Sequence, residues 1–396
     1  MEQTALMPDV APAAPSKGKT TETGAVEFTV NKDELLRELA GLQRIVPRKT
    51  TVPILFNIHL QATGHNLVLS ASDLDLGLRT VCPARVKKEG RLTIPAHKLF
   101  DYARLLEDGD ITMRLLENGW VQIKSGRSHT KMVGLAPESF PSLPLFPAAS
   151  AVKLDVQALR YLIERTLFAV CTEESRYILN GALLLVKPEG VTMVSTDGHR
   201  MAHAQYTKAQ AATNEMRILL PKKALAELNS LLNATKAEQI QFAQNDTTLF
   251  FAVGSRLLTS RQIMGRFPNY EAVLPQAHPN NAVVLRQELL LALQRVAQFS
   301  DEKSNCIRVR LSKNEFKLSS SNVDTGESED ALKTSYTGEP KTIAFNSQYL
   351  IDFLKAVDSE NIRLEFKDAD SASELRPEET TNKEYAYRYI VMPLKA

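Results

Sequence analysis

One pattern occurs three times in this chain. An alternating apolar strand, a short turn, a second strand and a small-polar stretch containing Asp or Asn appear first as ILFNIHLQATGHNLVLSASDLDLGLRT, from Ile54 to Thr80. They return as LNGALLLVKPEGVTMVSTDGHRMAHAQ, from Leu179 to Gln205, and as CIRVRLSKNEFKLSSSNVDTGESEDAL, from Cys306 to Leu332. Asp73, Asp197 and Asn322 fall at equivalent places, so the period is about 125 residues. A chain built this way must fold as three like units.

A second element keeps the same spacing. LTIPAHKLFDYARLL, ILLPKKALAELNSLL and TIAFNSQYLIDFLKAV each read as strand, cap and amphipathic helix, with Pro95, Pro221 and Phe345 at the switch. After the first switch, Leu99, Tyr102, Ala103 and Leu106 recur at helical spacing and give one apolar face. A further helix opens each unit: DELLRELAGLQRIV, VQALRYLIERTLFAV and RQELLLALQRVAQF. Two helices and many short alternating strands per unit predict an α+β plan, with helices packed on one face of antiparallel sheets. Pro-rich ESFPSLPLFPAAS and VLPQAHPNN mark the joints. The expected domains are 25–147, 148–275 and 276–396, after an Ala/Pro/Thr-rich extension over residues 1–24 expected to be disordered. Like units with helices on one side suggest an arc, which head-to-tail contacts can close into a ring.

Length and composition agree. The chain has 396 residues, too many for one ordinary core, with 43% apolar and 24% charged residues. Its 48 basic and 46 acidic side chains nearly cancel, so any attraction to a polyanion must come from charge gathered on one surface. The three cysteines, Cys82, Cys171 and Cys306, form no CxxC pair and point to a reducing, cytoplasmic setting. No apolar run is long enough to span a bilayer.

Basic residues recur on all six candidate helices: Lys32, Arg37 and Arg44 leading to Arg48 and Lys49; Lys98 and Arg104; Arg160 and Arg165; Lys222 and Lys223; Arg286 and Arg295; Lys355. Singly, each reads as part of a solvated helix face. Together they suggest a lined surface that holds phosphates without reading base sequence. Glu34, Glu38, Glu164 and Glu227 on the same helices would keep that attraction weak.

Several motifs in fixed order then resemble one family, the bacterial DNA polymerase III beta subunits or sliding clamps. They are FTVNKDELL, TTVPILFNI, KSGRS, RYILNG, STDGHRMA, GRFPNYEAVLP and the terminal YIVMPLKA, and the resemblance covers nearly everything from Val26 onward. It implies a homodimeric ring of six domains around duplex DNA, helices inside and sheets outside, acting as a non-catalytic processivity factor that needs no cofactor. The nucleoid in the cytoplasm would be its place. Implied partners are the polymerase III alpha subunit, a clamp loader, other DNA polymerases and repair proteins, each docking a short peptide. No GxxxxGK[ST] loop is present, so ring opening would fall to the separate loader.

By residue match, the peptide pocket comprises Leu179, Thr196, Gly198, His199, Arg200, Met201, Pro268, Val273, Ile390, Val391, Met392, Pro393 and Leu394. Apolar and Met side chains suit leucine or phenylalanine anchors, and Gly198 permits close backbone approach. The DNA-facing candidates are Lys49, Arg104, Arg127, Arg176, Lys222 and Lys223. Lys98 and Thr130, with Gln298 and Phe299, are the candidates for the dimer interface, joining domain 1 to domain 3 of the partner. The chain departs from the family in ending Leu394-Lys395-Ala396 and in carrying Lys49 where arginine is common. The acidic stretches NVDTGESED, read as a loop, and DSASELRPEETTNKEYAY depart from it as well.

The stretch VSTDGHRMAHA also has other readings. A hydrolase would need Ser195 or Thr196 as nucleophile with Asp197 and His199, but the repeat's equivalents, SASDLD and SSSNVD, contain no histidine. His199 and His203 have H-x3-H spacing, which shares a face only on a helix, and no glutamate follows His199. Asp197 is expected to be a turn residue accepting backbone N–H groups. Trp120 is expected on a hairpin face rather than as a base-stacking platform.

Overall fold

The computed structural model describes residues 26–208, 215–275, 278–379 and 382–395. The expected disordered extension, residues 1–24, lies outside them. The chain packs as two compact units: residues up to Val156 with Ala226–Gln262, and Gln157–Leu225 with Ile263–Ala396.

In the first unit an eight-stranded antiparallel sheet runs, edge to edge, Val152–Asp155, Gln239–Gln244, Thr248–Val253, Arg256–Arg261, Leu76–Pro83, Asn66–Ser72, Asn57–Thr63 and Gly90–Pro95. A five-stranded sheet runs Arg85–Lys88, Glu27–Asn31, Asp110–Leu115, Trp120–Ser125 and Ser128–Val133. Trp120 pairs with Val133 across that hairpin, as expected of a hairpin-face residue. The second unit repeats the plan. Its eight-stranded sheet runs Met216–Pro221, Gly181–Lys187, Gly190–Thr196, Arg200–Tyr206, Tyr385–Val391, Ser373–Pro377, Asn361–Phe366 and Asn280–Leu285. Its four-stranded sheet runs Gly326–Lys333, Glu315–Asn322, Cys306–Ser312 and Lys341–Asn346. The middle repeat therefore gives strands to both large sheets, and each of these is completed by a neighbouring repeat.

The described residues contain six α-helices, two per repeat: α1 Lys32–Ile45, α2 Ala96–Leu105, α3 Val156–Thr166, α4 Lys222–Ala234, α5 Arg286–Val296 and α6 Ser347–Ala356. In α1 the Asn31 side chain caps the amides of Asp33 and Glu34, and Leu35, Leu39, Leu42 and Ile45 form the buried stripe. Glu38 lies on that stripe too, and is held by Arg256 (2.8 and 2.9 Å) and the Thr80 hydroxyl (2.5 Å).

Two expectations need correction. The third strand-to-helix switch is Asn346, which caps the amide of Gln348 at 2.9 Å; Phe345 is a fully buried strand residue. A polar cap takes the place that proline holds in the other two repeats. The acidic stretch read as a loop supplies the edge strand Gly326–Lys333, because its alternation satisfies a half-solvated ladder despite its charge. Several of the helix cations have partners within their own unit. Lys32 is buried and donates to the Leu106 carbonyl (2.6 Å) and Asp108 (2.9 Å). Arg44 pairs with Glu227, Arg165 with Asp358, and Arg295 with Asp330, while Arg286 donates to the carbonyls of Ser359 and Leu354.

Candidate partner-binding site

The turn acceptor recurs as the repeat predicts. Asp73 Oδ1 accepts from the amides of Asp75 and Leu76, Asp197 Oδ1 from those of His199 (3.0 Å) and Arg200 (3.1 Å), and Asn322 Oδ1 from that of Asp324. The first turn shares a hydroxyl contact with the middle one, the Leu74 amide donating to Ser72 Oγ at 3.0 Å with Leu74 at φ +81°. The Thr196 hydroxyl donates to the Arg200 carbonyl at 2.6 Å and accepts from the Gly198 amide at 3.0 Å. Gly198 has φ +90°, a conformation that carries strain for any L side chain, and Arg176 Nη1 bonds the Asp197 carbonyl at 2.8 Å. Gly198→Ala should therefore cost about 1–2 kcal/mol of stability in the second unit. A denaturant midpoint unchanged from the native chain would sink that strain argument.

Arg200 is the frame of the loop. Its guanidinium donates to Asp197 (2.9 Å), Asp352 of α6 (2.7 Å) and the Phe168 carbonyl (2.9 Å), and lies 4.4 Å from the Tyr349 ring centroid. The strand that follows, Arg200–Tyr206, pairs with Tyr385–Val391 so that Met201 faces Ile390. The Met392 amide then bonds the His199 carbonyl (2.9 Å), and the Leu394 amide bonds that of Ala344 (2.8 Å), which pins the C-terminal residues beside the loop.

Beneath lies an apolar cluster of Leu183, Leu185, Val194, Met201, Leu219, Phe267, Tyr270 and Ile390. Ile178, Leu179, Ile263, Leu274 and Ala372 pack against it, half exposed. Gly181 lets two strands meet closely here, since a Cβ would sit 2.2 Å from the Leu220 carbonyl oxygen. Tyr177, Met264, Val273 and Met392 leave large apolar surfaces in solvent around the cluster. An apolar cluster rimmed by exposed apolar side chains, with a polar loop beside it, is a surface of the kind that can take an extended apolar peptide.

Of the residues expected in the pocket, Leu179, Met201 and Ile390 join the cluster, while Val273 and Met392 are exposed apolar residues and Pro268 is exposed too. Thr196, Gly198, His199 and Arg200 form the loop; Val391 is fully buried, and Pro393 and Leu394 are half-buried. Arg176, grouped with the DNA-facing candidates, sits in the turn Glu174–Leu179 and donates to this loop at the Asp197 carbonyl. Lys49, Arg104 and Lys223 are exposed on or just after helices, Lys222 is half-buried, and Arg127 is exposed 3.8 Å from Glu107. Lys98 is exposed on α2, Thr130 lies on the edge strand Ser128–Val133, and Gln298 and Phe299 follow α5.

Sequence reasoning missed Phe267, Tyr270, Leu274, Tyr349 and Asp352. Alternation in Gly181–Lys187 could have offered Leu183 and Leu185 as one strand face. Nothing local announces that Asp352 meets Arg200.

The catalytic reading finds no geometry here. Ser195 is fully buried, and its hydroxyl donates to the Thr166 carbonyl at 2.5 Å. His199 is exposed, and Asp197 serves backbone amides and Arg200 rather than an imidazole. His203 lies in the strand, where burial and the charge of Arg388 push its imidazole down to about 4. Among the described residues no three His, Cys, Asp or Glu side chains converge on a metal position.

Three successive repeats, each with two helices packed on antiparallel strands, define a three-domain clamp fold. Family models for the N-terminal, central and C-terminal domains of the DNA polymerase III beta subunit match residues 26–144, 153–269 and 271–395. The beta sliding clamp of Vibrio cholerae is 32% identical over 371 residues, 93% of this chain and all of the relative. That of Synechococcus elongatus is 32% identical over 380 residues, 93% of this chain and 99% of the relative. The solved clamp of Pseudomonas aeruginosa, bound to griselimycin, is 31% identical with a TM-score of 0.86, covering 94% of this chain and 100% of that one. The clamp of Bartonella birtlesii, also bound to griselimycin, is 30% identical with a TM-score of 0.88 over the same shares. The chain belongs to the DNA polymerase III beta subunit family, the sliding clamps, which are processivity factors and not enzymes.

Proposed function

We propose that two copies of this chain close head to tail into a ring of six domains, bounded near residues 25–147, 148–275 and 276–396, that encircles duplex DNA and tethers a DNA polymerase to its template. The match to sliding clamps along nearly the whole chain carries this reading. A ring that cannot fall off needs no tight grip, and a net charge of +2 suits weak, water-mediated phosphate contact. Lys49, Arg104, Arg127, Arg176, Lys222 and Lys223 are the residues assigned to face the duplex, in the cytoplasm beside the nucleoid.

Two open sheet edges support the dimer. Ser128–Val133 ends the five-stranded sheet and carries His129 and Lys131; Gly326–Lys333 ends the four-stranded sheet and carries Glu327, with Glu329 paired to Lys317, Asp330 paired to Arg295, and Lys333 at its end. Unpaired edges invite antiparallel pairing between copies. Thr130 sits in the first edge, and the Phe299 ring lies against Gly326 in the second. Lys98 and Gln298 are assigned to the same joint.

The groove at Leu179, the Thr196–Met201 loop, Pro268, Val273 and Ile390–Leu394 is assigned to partner peptides. These would come from the polymerase III alpha subunit, the clamp loader, other polymerases and repair proteins. Griselimycin, held by the two solved relatives, is expected to compete for the same groove.

The decisive experiment loads the protein onto nicked circular DNA and then linearises the circle. Retention on the circle should outlast retention on the linear form by at least about a hundredfold, because a ring leaves a line by sliding off its end. Equal dissociation from both forms would defeat the clamp reading.

A further inference from the structure

Under the groove lies an ion pair whose geometry exceeds what pairing alone requires. Glu374, on strand Ser373–Pro377, is 2% exposed. Arg388, on the neighbouring strand Tyr385–Val391, grips both carboxylate oxygens, with Nε 2.7 Å from Oε1 and Nη2 2.6 Å from Oε2. The same Nη2 also donates to the Pro275 carbonyl at 2.7 Å. Pro275 closes the segment whose Phe267, Tyr270 and Leu274 make one wall of the apolar cluster. Its last turn, Tyr270–Val273, is a short 3-10 turn closed by a 3.3 Å bond from the Leu274 amide to the Glu271 carbonyl.

We propose that Arg388, oriented by Glu374, is a positioning residue for partner binding: it fixes the wall Phe267–Pro275 at the spacing the groove needs. This rests on the groove being the partner site.

Three observations carry it. The wall is irregular backbone, so its place depends on side chains and on anchors such as this one. The anchor joins it directly to the strand that contributes Ile390 to the floor. From the other side, His203, in register with Arg388, packs its ring 5.7 Å from the Tyr270 ring. Glu374 is buried and Arg388 about a third exposed, and an ion pair with a buried partner can often be replaced by apolar side chains of like volume without loss of stability. What apolar replacements cannot supply is the bond to Pro275. A fork with parallel N–H groups serves the carboxylate and the carbonyl together, which an ammonium does less well.

The test uses the full chain and a labelled peptide of about ten residues carrying adjacent Leu and Phe anchors. The double variant Glu374→Leu/Arg388→Met should remain folded and bind the peptide about tenfold more weakly, the loss of one charge-assisted hydrogen bond. The change should fall on the dissociation rate, since the groove's entrance is unaltered. Amide exchange should quicken at 267–274 and stay unchanged at 200–206. Affinity within twofold of native, or unaltered exchange at 267–274, would overturn the proposal, as would exchange quickened equally in both segments. If the double variant does not fold, Arg388→Lys decides: it keeps charge beside Glu374 but gives up the fork, and should weaken binding at least threefold. Native affinity in that variant overturns the proposal. Should the native chain itself fail to bind, the groove assignment falls, and exchange at 267–274 still decides whether Arg388 holds the wall.

Discussion

Deleting Met392–Ala396 should weaken binding of a Leu/Phe-anchored peptide by more than a hundredfold while leaving the sheets and the dimer in place. The deletion point falls just after strand Tyr385–Val391, so the ladder to Arg200–Tyr206 and the buried Ile390 and Val391 survive. What goes is the Met392 thioether at the rim and two backbone bonds, to the carbonyls of His199 and Ala344. At about 1 kcal/mol each, those bonds predict a stability loss near 2 kcal/mol, far short of unfolding the second unit. The binding loss is larger because the groove loses one rim outright and the Gly198–His199 turn loses its tether. Fluorescence anisotropy measures the affinity, and sedimentation measures the dimer. Affinity within tenfold of native would remove the C-terminal residues from the pocket.

The truncation also shows which parts of the site were legible in the sequence. The three turn acceptors Asp73, Asp197 and Asn322 could be read because the repeat supplied two controls for each, and all three accept the backbone amides expected of them. The helices could be read because a 3.6-residue apolar stripe is a local property, as Leu35, Leu39 and Leu42 show in α1. The third switch falls one residue after Phe345 because Asn346 caps its helix by a side-chain bond, where the other repeats have proline. The cations of the helices could be counted but not aimed: periodicity does not say that Lys32 turns inward to the Leu106 carbonyl or that Arg286 reaches those of Ser359 and Leu354. Long-range polar partners were the least legible. Arg388 and Glu374 stand 14 residues apart in sequence, yet they meet only because their strands are neighbours in the sheet. Strand alternation predicts a side chain's face and leaves its cross-strand partner open.

Arg200→Met should cost the second unit about 3–5 kcal/mol, the largest single-residue loss expected near the groove. Its side chain is 10% exposed and joins three elements: the Asp197 turn, Asp352 on α6 and the carbonyl of Phe168. Methionine fills much of the volume over the Tyr349 ring but leaves the carboxylates of Asp197 and Asp352, 17% and 21% exposed, facing one another without a cation. Asp352 retains the Gln348 side-chain amide at 2.6 Å, and Asp197 retains its two backbone amides, so the lower part of that range is favoured. For a unit of this size, 3 kcal/mol lowers the thermal midpoint by about 6–12 °C. Asp352→Asn should cost less than half as much, because the amide oxygen still accepts from the guanidinium and no charge is stranded. The ordering of the two variants is the discriminating result. If Arg200→Met were the milder one, the guanidinium would be a groove-facing contact for partners, and the frame of the loop would have to be sought in the Thr196 and Asp197 bonds alone.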